Sequence, residues 1–378
     1  MNSIKQLPYF DIIIIWGPIL LISILIIIQL YYLLLVFTKL LGYRPTDAKV
    51  FLPVSIIICA KNELQNLKSF LPYFLKQDYP DYQVIVVNDG SWDGTGEYLQ
   101  SIEAQFSNLK IVTIKEQEKY KTGKKFALTL GIKGASHEHL IFTDADCEPS
   151  GNTWLQNLMR NYQSHSQLII GYAPYKNEGG FLNSIIRFDT AHNAILYLSR
   201  AIAGKAFMGV GRNLGYTKTI FFENKGFASH QHLLSGDDDL FVNQAATHNN
   251  TSVAINEESF TYSVPKKTWA SWIQQKTRHV SVARHYKARD QRLISIYHVT
   301  QALILLMAPI LIVLKLQPLV IACCLAGYLL LRWSIITASL YKLKEQNLAW
   351  MLPLFDVIFI FISPIIYIRS RFYKNTRW

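Results

Sequence analysis

The chain has 378 residues, of which 50% are hydrophobic and only 17% charged, with 38 Lys and Arg against 26 Asp and Glu. So small a charged fraction argues against a purely soluble enzyme. The net charge of +12 does not point to nucleic acid either: the basic residues gather beside apolar runs (Lys39 and Arg44, Lys276 to Arg292, Arg369 to Arg377), with no zinc-finger spacing and no RNA-binding aromatic signature, so membrane lipids with anionic headgroups are the expected partner.

The first element is the uncharged run 12–36. It exceeds the ~20 residues that cross a bilayer core. It is also far longer than the ~7–15-residue core of a signal peptide, and no small-residue cleavage site follows it. A retained membrane helix is expected. From residue 50 onward, short apolar runs alternate with helical patterns: strand VSIIICA (54–60), helix 66–77, strand VIVVND (84–89), helix 95–106, strand LKIVTI (109–114), helix 123–135 and strand HLIFTDAD (139–146). This alternation predicts an α/β domain whose central sheet is mostly parallel, with ligands at the carboxyl ends of its strands. Polar residues stand at three such ends: Lys61, Asn62 and Glu63; Asn88 and Asp89; Asp144 and Asp146. The basic stretch 271–295 reads as an amphipathic interface segment. Beyond it, 299–314, 318–340 (interrupted by Arg332) and 350–368 are apolar enough for two or three further crossings. The divisions are therefore 1–49, a first membrane helix and linker; 50–270, a catalytic domain; 271–295, an interface region; and 296–378, C-terminal membrane helices. Lys39 and Arg44 place the polar domain in the cytoplasm, but three more crossings would put the basic tail outside, against the positive-inside tendency. The four cysteines lack disulfide-framework spacing, which fits a reducing compartment.

Several short stretches carry chemistry. In TDADC, residues two apart on an extended strand aim at one point, so Asp144 and Asp146 suit a hard divalent cation; the bland alternative is a turn in which Asp146 caps a helix begun at Pro149. In NDGSWDGT the glycines belong to turns, while Asp89 at a strand end could accept the imide N–H of a uracil ring. KTGKKFAL lacks the P-loop pattern, so Lys124 is either a point charge for a phosphate or a solvated helix end. SGDDDLF puts three acids in a row in a basic protein. WIQQKTRHV, with Gln275, Arg278 and His279, reads as a helix on the membrane whose arginine could also meet a diphosphate. His230 and His232 lack a zinc-site spacing and read as surface histidines.

With those residues in place, the chain resembles family 2 glycosyltransferases of GT-A fold, in the membrane-embedded branch that includes cellulose and hyaluronan synthases. The likeness covers roughly residues 50–290 and runs through PVSIIICAKNE, VNDGSWDGT, GKKFAL, TDADCEP, GVGRNLGYTK, GDDDL and QQKTR in the family's order. The resemblance implies that Asp89 and Glu63 line the nucleotide pocket, that Lys124 approaches the diphosphate, and that Asp144 lies against the nucleotide. It further implies Mg²⁺ or Mn²⁺ on Asp146 with Asp144, Asp237 as general base, Asp239 as a supporting acid, and Gln275, Arg278 and His279 at the acceptor end and pyrophosphate. Gly236 stands where the family has glutamate, His279 where it has tryptophan, and Thr129 where asparagine is common. The missing tryptophan favours transfer of one or a few sugars over polymerisation. The expectation is an inverting, metal-dependent transfer from a nucleotide sugar, UDP-linked, to a lipid-linked or glycan acceptor at a bacterial-type inner or plasma membrane. A polyprenyl-phosphate sugar synthase, a processive polysaccharide synthase and a nucleotide-binding transporter or scaffold are the alternatives.

Overall fold

A computed structural model describes residues 8–45, 51–114, 123–163, 165–233 and 235–373. Helix α1 (Pro8–Tyr31) continues through a π-helical segment (Tyr32–Phe37) into α2 (Thr38–Gly42). The α/β domain follows as β1 (Val54–Ala60), α3 (Leu64–Leu75), β2 (Tyr82–Asp89), α4 (Thr95–Glu103), β3 (Leu109–Ile114), α5 (Lys124–Gly134) and β4 (His139–Asp144). Next come β5 (Cys147–Pro149), α6 (Trp154–Met159), β6 (Leu168–Gly171), α7 (Phe181–Ile202), β7 (Leu214–Thr217), α8 (Lys218–Glu223), α9 (Asp239–Ala245), β8 (Thr251–Ala254) and β9 (Thr261–Ser263). The chain ends in α10 (Trp269–Ala283), α11 (Ala288–Val313), α12 (Pro318–Lys342) and α13 (Leu352–Phe372).

Seven strands form one sheet in the order β3-β2-β1-β4-β7-β6-β8, with only β7 antiparallel to its neighbours; β5 and β9 form a separate antiparallel ribbon. The central strands are uninterrupted apolar runs because both faces are covered. Side chains alternate between two cores: Ile57, Ile85 and Val87 point to the face that α5, α7 and the membrane helices cover. Ile56, Ile58, Val84 and Val86 join Leu67 and Leu71 of α3 and Trp154 of α6 on the other. Each such isoleucine or valine is fully buried, contributing about 1.5–3 kcal/mol. Helix α5 lies so close to the sheet that a Cβ on Gly131 would stand 2.8 Å from Ile57 Cγ2 and 3.0 Å from Val87 Cγ2.

Register brings the polar strand ends together. Cys59 on β1 pairs with Val87 on one side and Asp144 on the other, so Lys61–Glu63, Asp89 and Asp144 emerge at one level of the sheet. Two local expectations change. Strand β4 stops at Asp144, so Asp146 reaches the site through the turn into β5 and not by strand alternation, and no helix begins at Pro149. The basic stretch is two helices with a break at 284–287, the second running on into an apolar span.

Among the described residues four helical stretches are long and apolar enough to cross a membrane: Trp16–Gly42, Ala288–Val313, Pro318–Lys342 and Gln346–Phe372. Helix α1 packs on α11, and α11 on α12; α2 and the π-helical segment rest on α7, tying the bundle to the domain. Arg332, the charge that interrupts the second C-terminal run, is 1% exposed. Its guanidinium meets Asp356 at 2.7 Å and donates to the Tyr297 hydroxyl at 3.0 Å, while Gln301 and Trp333 also donate to Asp356. Full pairing is what makes a buried charge tolerable there.

Candidate active site

The site lies over the carboxyl ends of β1, β2 and β4. Two loops are knitted there by side chains: the Ser91 hydroxyl accepts from Asn62 N–H, and Asn62 Oδ1 accepts from Trp92 N–H. Asp93 takes the N–H groups of Leu64 and Thr95, which explains Asp-Gly-Thr as a double helix-start anchor. Asp89 is 1% exposed, with Lys61 Nζ 3.5 Å away. Glu63 accepts from Asn66 at 2.6 Å, and burial raises its carboxyl pKa.

Lys124 opens α5 and stands between two acids. Its Nζ is 2.8 Å from Asp144 Oδ1 and 3.2 Å from Asp237 Oδ2. Lys121 and Thr122 of the same motif lie outside the described residues. Burial disfavours the Lys124 charge, but Asp144 and then Asp237 outweigh it and keep the ammonium protonated. Burial would likewise push the Asp144 carboxyl up; Lys124, backed by Arg212 and Arg278, reverses this and holds it below the usual carboxylate range. For Asp146 burial, followed by the Asp144 charge, outweighs the opposing Arg212 and pushes the carboxyl pKa up. Donor atoms of Asp144, Asp146 and Cys147 lie within 4.8 Å of one another. Two carboxylates of which one is held up by the other are a fitting pair for a hard divalent cation. Cys147 Sγ lies 3.0 Å from the Ser263 hydroxyl, and burial and the Asp146 charge keep it a thiol.

The acid triplet divides three ways. Asp237 faces Lys124 and is 9% exposed. Asp238 is turned inward: its Oδ2 accepts from Gly211 N–H and its Oδ1 from Asp239 N–H, both at 2.8 Å, so it caps α9 and ties it to the 211 turn. Asp239 accepts from Leu240 N–H and from the Tyr286 hydroxyl at 2.7 Å, and burial raises its pKa well above the carboxylate range. Gly236 has φ +91, and a Cβ there would stand 2.5 Å from Leu240 Cδ1. The absence of the family's glutamate is thus a backbone requirement.

On α10, Gln275 donates to the Tyr175 hydroxyl at 3.1 Å, and Lys276 pairs with Asp189 of α7 at 2.6 Å. Arg278 Nε is buried without a hydrogen-bond partner. His279 lies one turn beyond Gln275 and is exposed.

Three residues at this site were not singled out in the sequence. The Arg212 guanidinium lies 4.3 Å over the Tyr175 ring, its Nη1 buried and unpartnered, and its charge acts on both Asp144 and Asp146. It stands inside GVGRNLGYTK, whose only charged residue before the final lysine it is. Tyr175 supports Arg212 with its ring and Gln275 with its hydroxyl. Lys125, 3% exposed, donates to the carbonyls of His230, Leu233 and Ser235, holding the loop that leads to Asp237; burial lowers its pKa to about 8. Its spacing from Leu128 and Ile132, on one helical face, was the available signal. His230 is correspondingly no surface residue: it is buried, its pKa pushed down to about 4 by burial and Lys125.

The description Glycosyl transferase family 2 matches residues 55–222, and Glycosyl transferase family group 2 matches residues 154–363, more than half of the chain. Glycosyltransferase AglE of Haloferax volcanii is 37% identical over 105 residues, 27% of this chain and 33% of that protein. Poly-beta-1,6-N-acetyl-D-glucosamine synthase of Staphylococcus epidermidis is 32% identical over 93 residues, 25% of this chain and 21% of that protein. The chain thus spans about a fifth to a third of the length of these curated relatives. The mannosyltransferase PcManGT from Pyrobaculum calidifontis, solved in complex with GDP-Man and Mn²⁺, superposes with a TM-score of 0.56 over 94% of this chain and 96% of that one, at 16% identity, a likeness of fold. Sheet order, strand-end acids and family matches agree: the chain belongs to family 2 of the glycosyltransferases and has the GT-A fold.

Proposed function

We propose that the protein is an inverting, metal-dependent glycosyltransferase that moves a sugar from a nucleotide sugar to the hydroxyl of a membrane-associated, lipid-linked acceptor on the cytoplasmic face. The observation that carries this reading is the Asp144–Lys124–Asp237 bridge, one cation between two acids at the carboxyl ends of the strands. In this reading Asp89 and Glu63 receive the base. Lys124, Arg212 and Arg278 donate to the diphosphate; the two arginines have buried N–H groups without partners, which an anionic ligand would satisfy. Asp144 and Asp146 would hold Mg²⁺ or Mn²⁺, which would supply positive charge against the leaving diphosphate. Asp237 accepts the proton of the acceptor hydroxyl as its oxygen bonds to the anomeric carbon. The bond from that carbon to the diphosphate oxygen breaks on the opposite face, inverting the centre and releasing the nucleoside diphosphate. Stabilising the leaving charge is the larger contribution; the base supplies about 10²–10⁴-fold. Support for nucleotide-sugar chemistry comes from the family and from the GDP-Man bound in the mannosyltransferase of like fold. The test is purified full-length protein in lipid nanodiscs against UDP- and GDP-sugars with Mg²⁺ or Mn²⁺. Released nucleoside diphosphate and an inverted anomeric signal are expected; binding and turnover of none of them refutes the reading.

A further inference from the structure

Of the four helices apolar enough to cross a membrane, α13 keeps different company. Helices α1, α11 and α12 pack on one another, whereas the main partner of α13 among the described elements is α10. Helix α10 belongs to the domain side. Gln275 bonds Tyr175, Lys276 pairs with Asp189, Trp272 is 1% exposed, and Arg278 acts on Asp144 in the active site.

The chain has also returned to the domain side before α13 begins. At the end of α12, Lys342 Nζ donates to the Tyr43 carbonyl, Lys344 stands 3.0 Å from Glu257, and Glu345 pairs with Arg187 of α7. The first turns of α13 then meet α7 as well as α11 and α12: Phe355 stacks on Phe188 at 4.4 Å, beside the Asp189 that Lys276 holds, and Asp356 accepts from Gln301 of α11 and Arg332 of α12. In its second half Ile366 and Ser370 are buried. Leu354, Val357, Phe361, Ile365, Ile368 and Phe372 form an exposed apolar stripe at helical spacing, with Tyr367 exposed to one side of it. Its last turn carries Arg369 and Arg371.

We propose that α13 does not cross the bilayer. It lies in the leaflet next to the catalytic domain, side by side with α10, its exposed stripe among the acyl chains and Arg369 and Arg371 at anionic headgroups. A helix that shares its length with α10 shares its level, and α10 is fixed to the domain. Only α1, α11 and α12 cross. An odd number of crossings leaves the C-terminal tail on the domain's side, which removes the conflict between its basic residues and the positive-inside tendency. The partner of the α10–α13 face is thus the lipid surface itself, and the active site, with Arg278 on α10, opens at that surface.

Topology tests this without reference to turnover. Full-length protein fused at its C-terminus to a fluorescent protein that folds only in the cytoplasm, or to a phosphatase active only outside it, is expected to fluoresce and to lack phosphatase activity. The same reporters placed in the α11–α12 connection should give the reverse. Independently, Tyr373→Cys in a Cys323→Ser, Cys324→Ser background should take an impermeant maleimide mass tag in inverted vesicles and none in right-side-out ones, relative to the background protein. Phosphatase activity at the C-terminus, or tagging from the outer side, overturns the proposal and makes α13 a fourth crossing.

Discussion

Replacing Lys124 by methionine keeps the aliphatic stem and removes the charge that Asp144 and Asp237 share. At an effective dielectric constant of ~20, unit charges 2.8 and 3.2 Å apart attract by roughly 5–6 kcal/mol each before desolvation. Losing one partner of a buried pair costs about 3–5 kcal/mol net. Because the Asp144 side chain is 33% exposed and that of Lys124 20%, solvent screening lowers the expectation to about 2–4 kcal/mol. At about 2–4 °C per kcal/mol, the midpoint of thermal unfolding in detergent, followed by tryptophan fluorescence, should fall by roughly 4–16 °C at neutral pH. The pH dependence has a definite sign. In the native chain Lys124 depresses the Asp144 pKa, a contribution present above the unfolded value of about 3.9 and lost only in strong acid. Without Lys124, burial raises that pKa, so the variant should regain stability as pH falls from neutral toward about 4.5 and the gap should narrow. A midpoint unchanged at neutral pH, or a deficit equal at every pH, would refute the bridge as the organising interaction.

Asp237→Asn should lower turnover by about 10²–10⁴-fold while nucleoside diphosphate binding, read by calorimetry, stays within a few-fold; normal turnover would remove Asp237 as base. Arg212→Met should weaken nucleoside diphosphate binding by about 10–100-fold, the worth of a charge-assisted hydrogen bond, and leave the phosphate-free nucleoside unaffected. Gly236→Glu, which restores the family residue, should destabilise by about 1–3 kcal/mol because φ is +91 and Leu240 fills the space; a neutral effect in thermal unfolding would contradict that. Lys125 supplies a pH prediction. With its pKa lowered from 10.5 to about 8, the folded protein binds fewer protons than the unfolded chain between those values, so stability should rise with pH there. Above about pH 8 a neutral amine has two N–H donors for three carbonyls, so turnover should fall along an alkaline limb that Lys125→Met lacks.

Sequence alone determined a good deal here. VSIIICA and the strand beginning at His139 are buried on both faces, and such runs announce themselves by composition without knowledge of their neighbours. Strand-end acids follow from the same reading, because a parallel sheet delivers its carboxyl ends to one level. The length and apolarity of the membrane helices are likewise properties of single segments. Tertiary structure decided what depends on distant partners. Asp237, Asp238 and Asp239 are chemically identical in sequence; only the positions of Lys124, Gly211 and Tyr286 give one a cation, one a cap and one a buried hydroxyl. Arg212 carries no local mark of burial and Lys125 only its place on the helical face of Leu128 and Ile132, since a charge enters the interior only when residues far along the chain offer it partners. For α13, composition fixes that it seeks lipid, but packing on α10 or on the bundle sets its level, because any apolar helix of that length satisfies hydropathy equally well in either place.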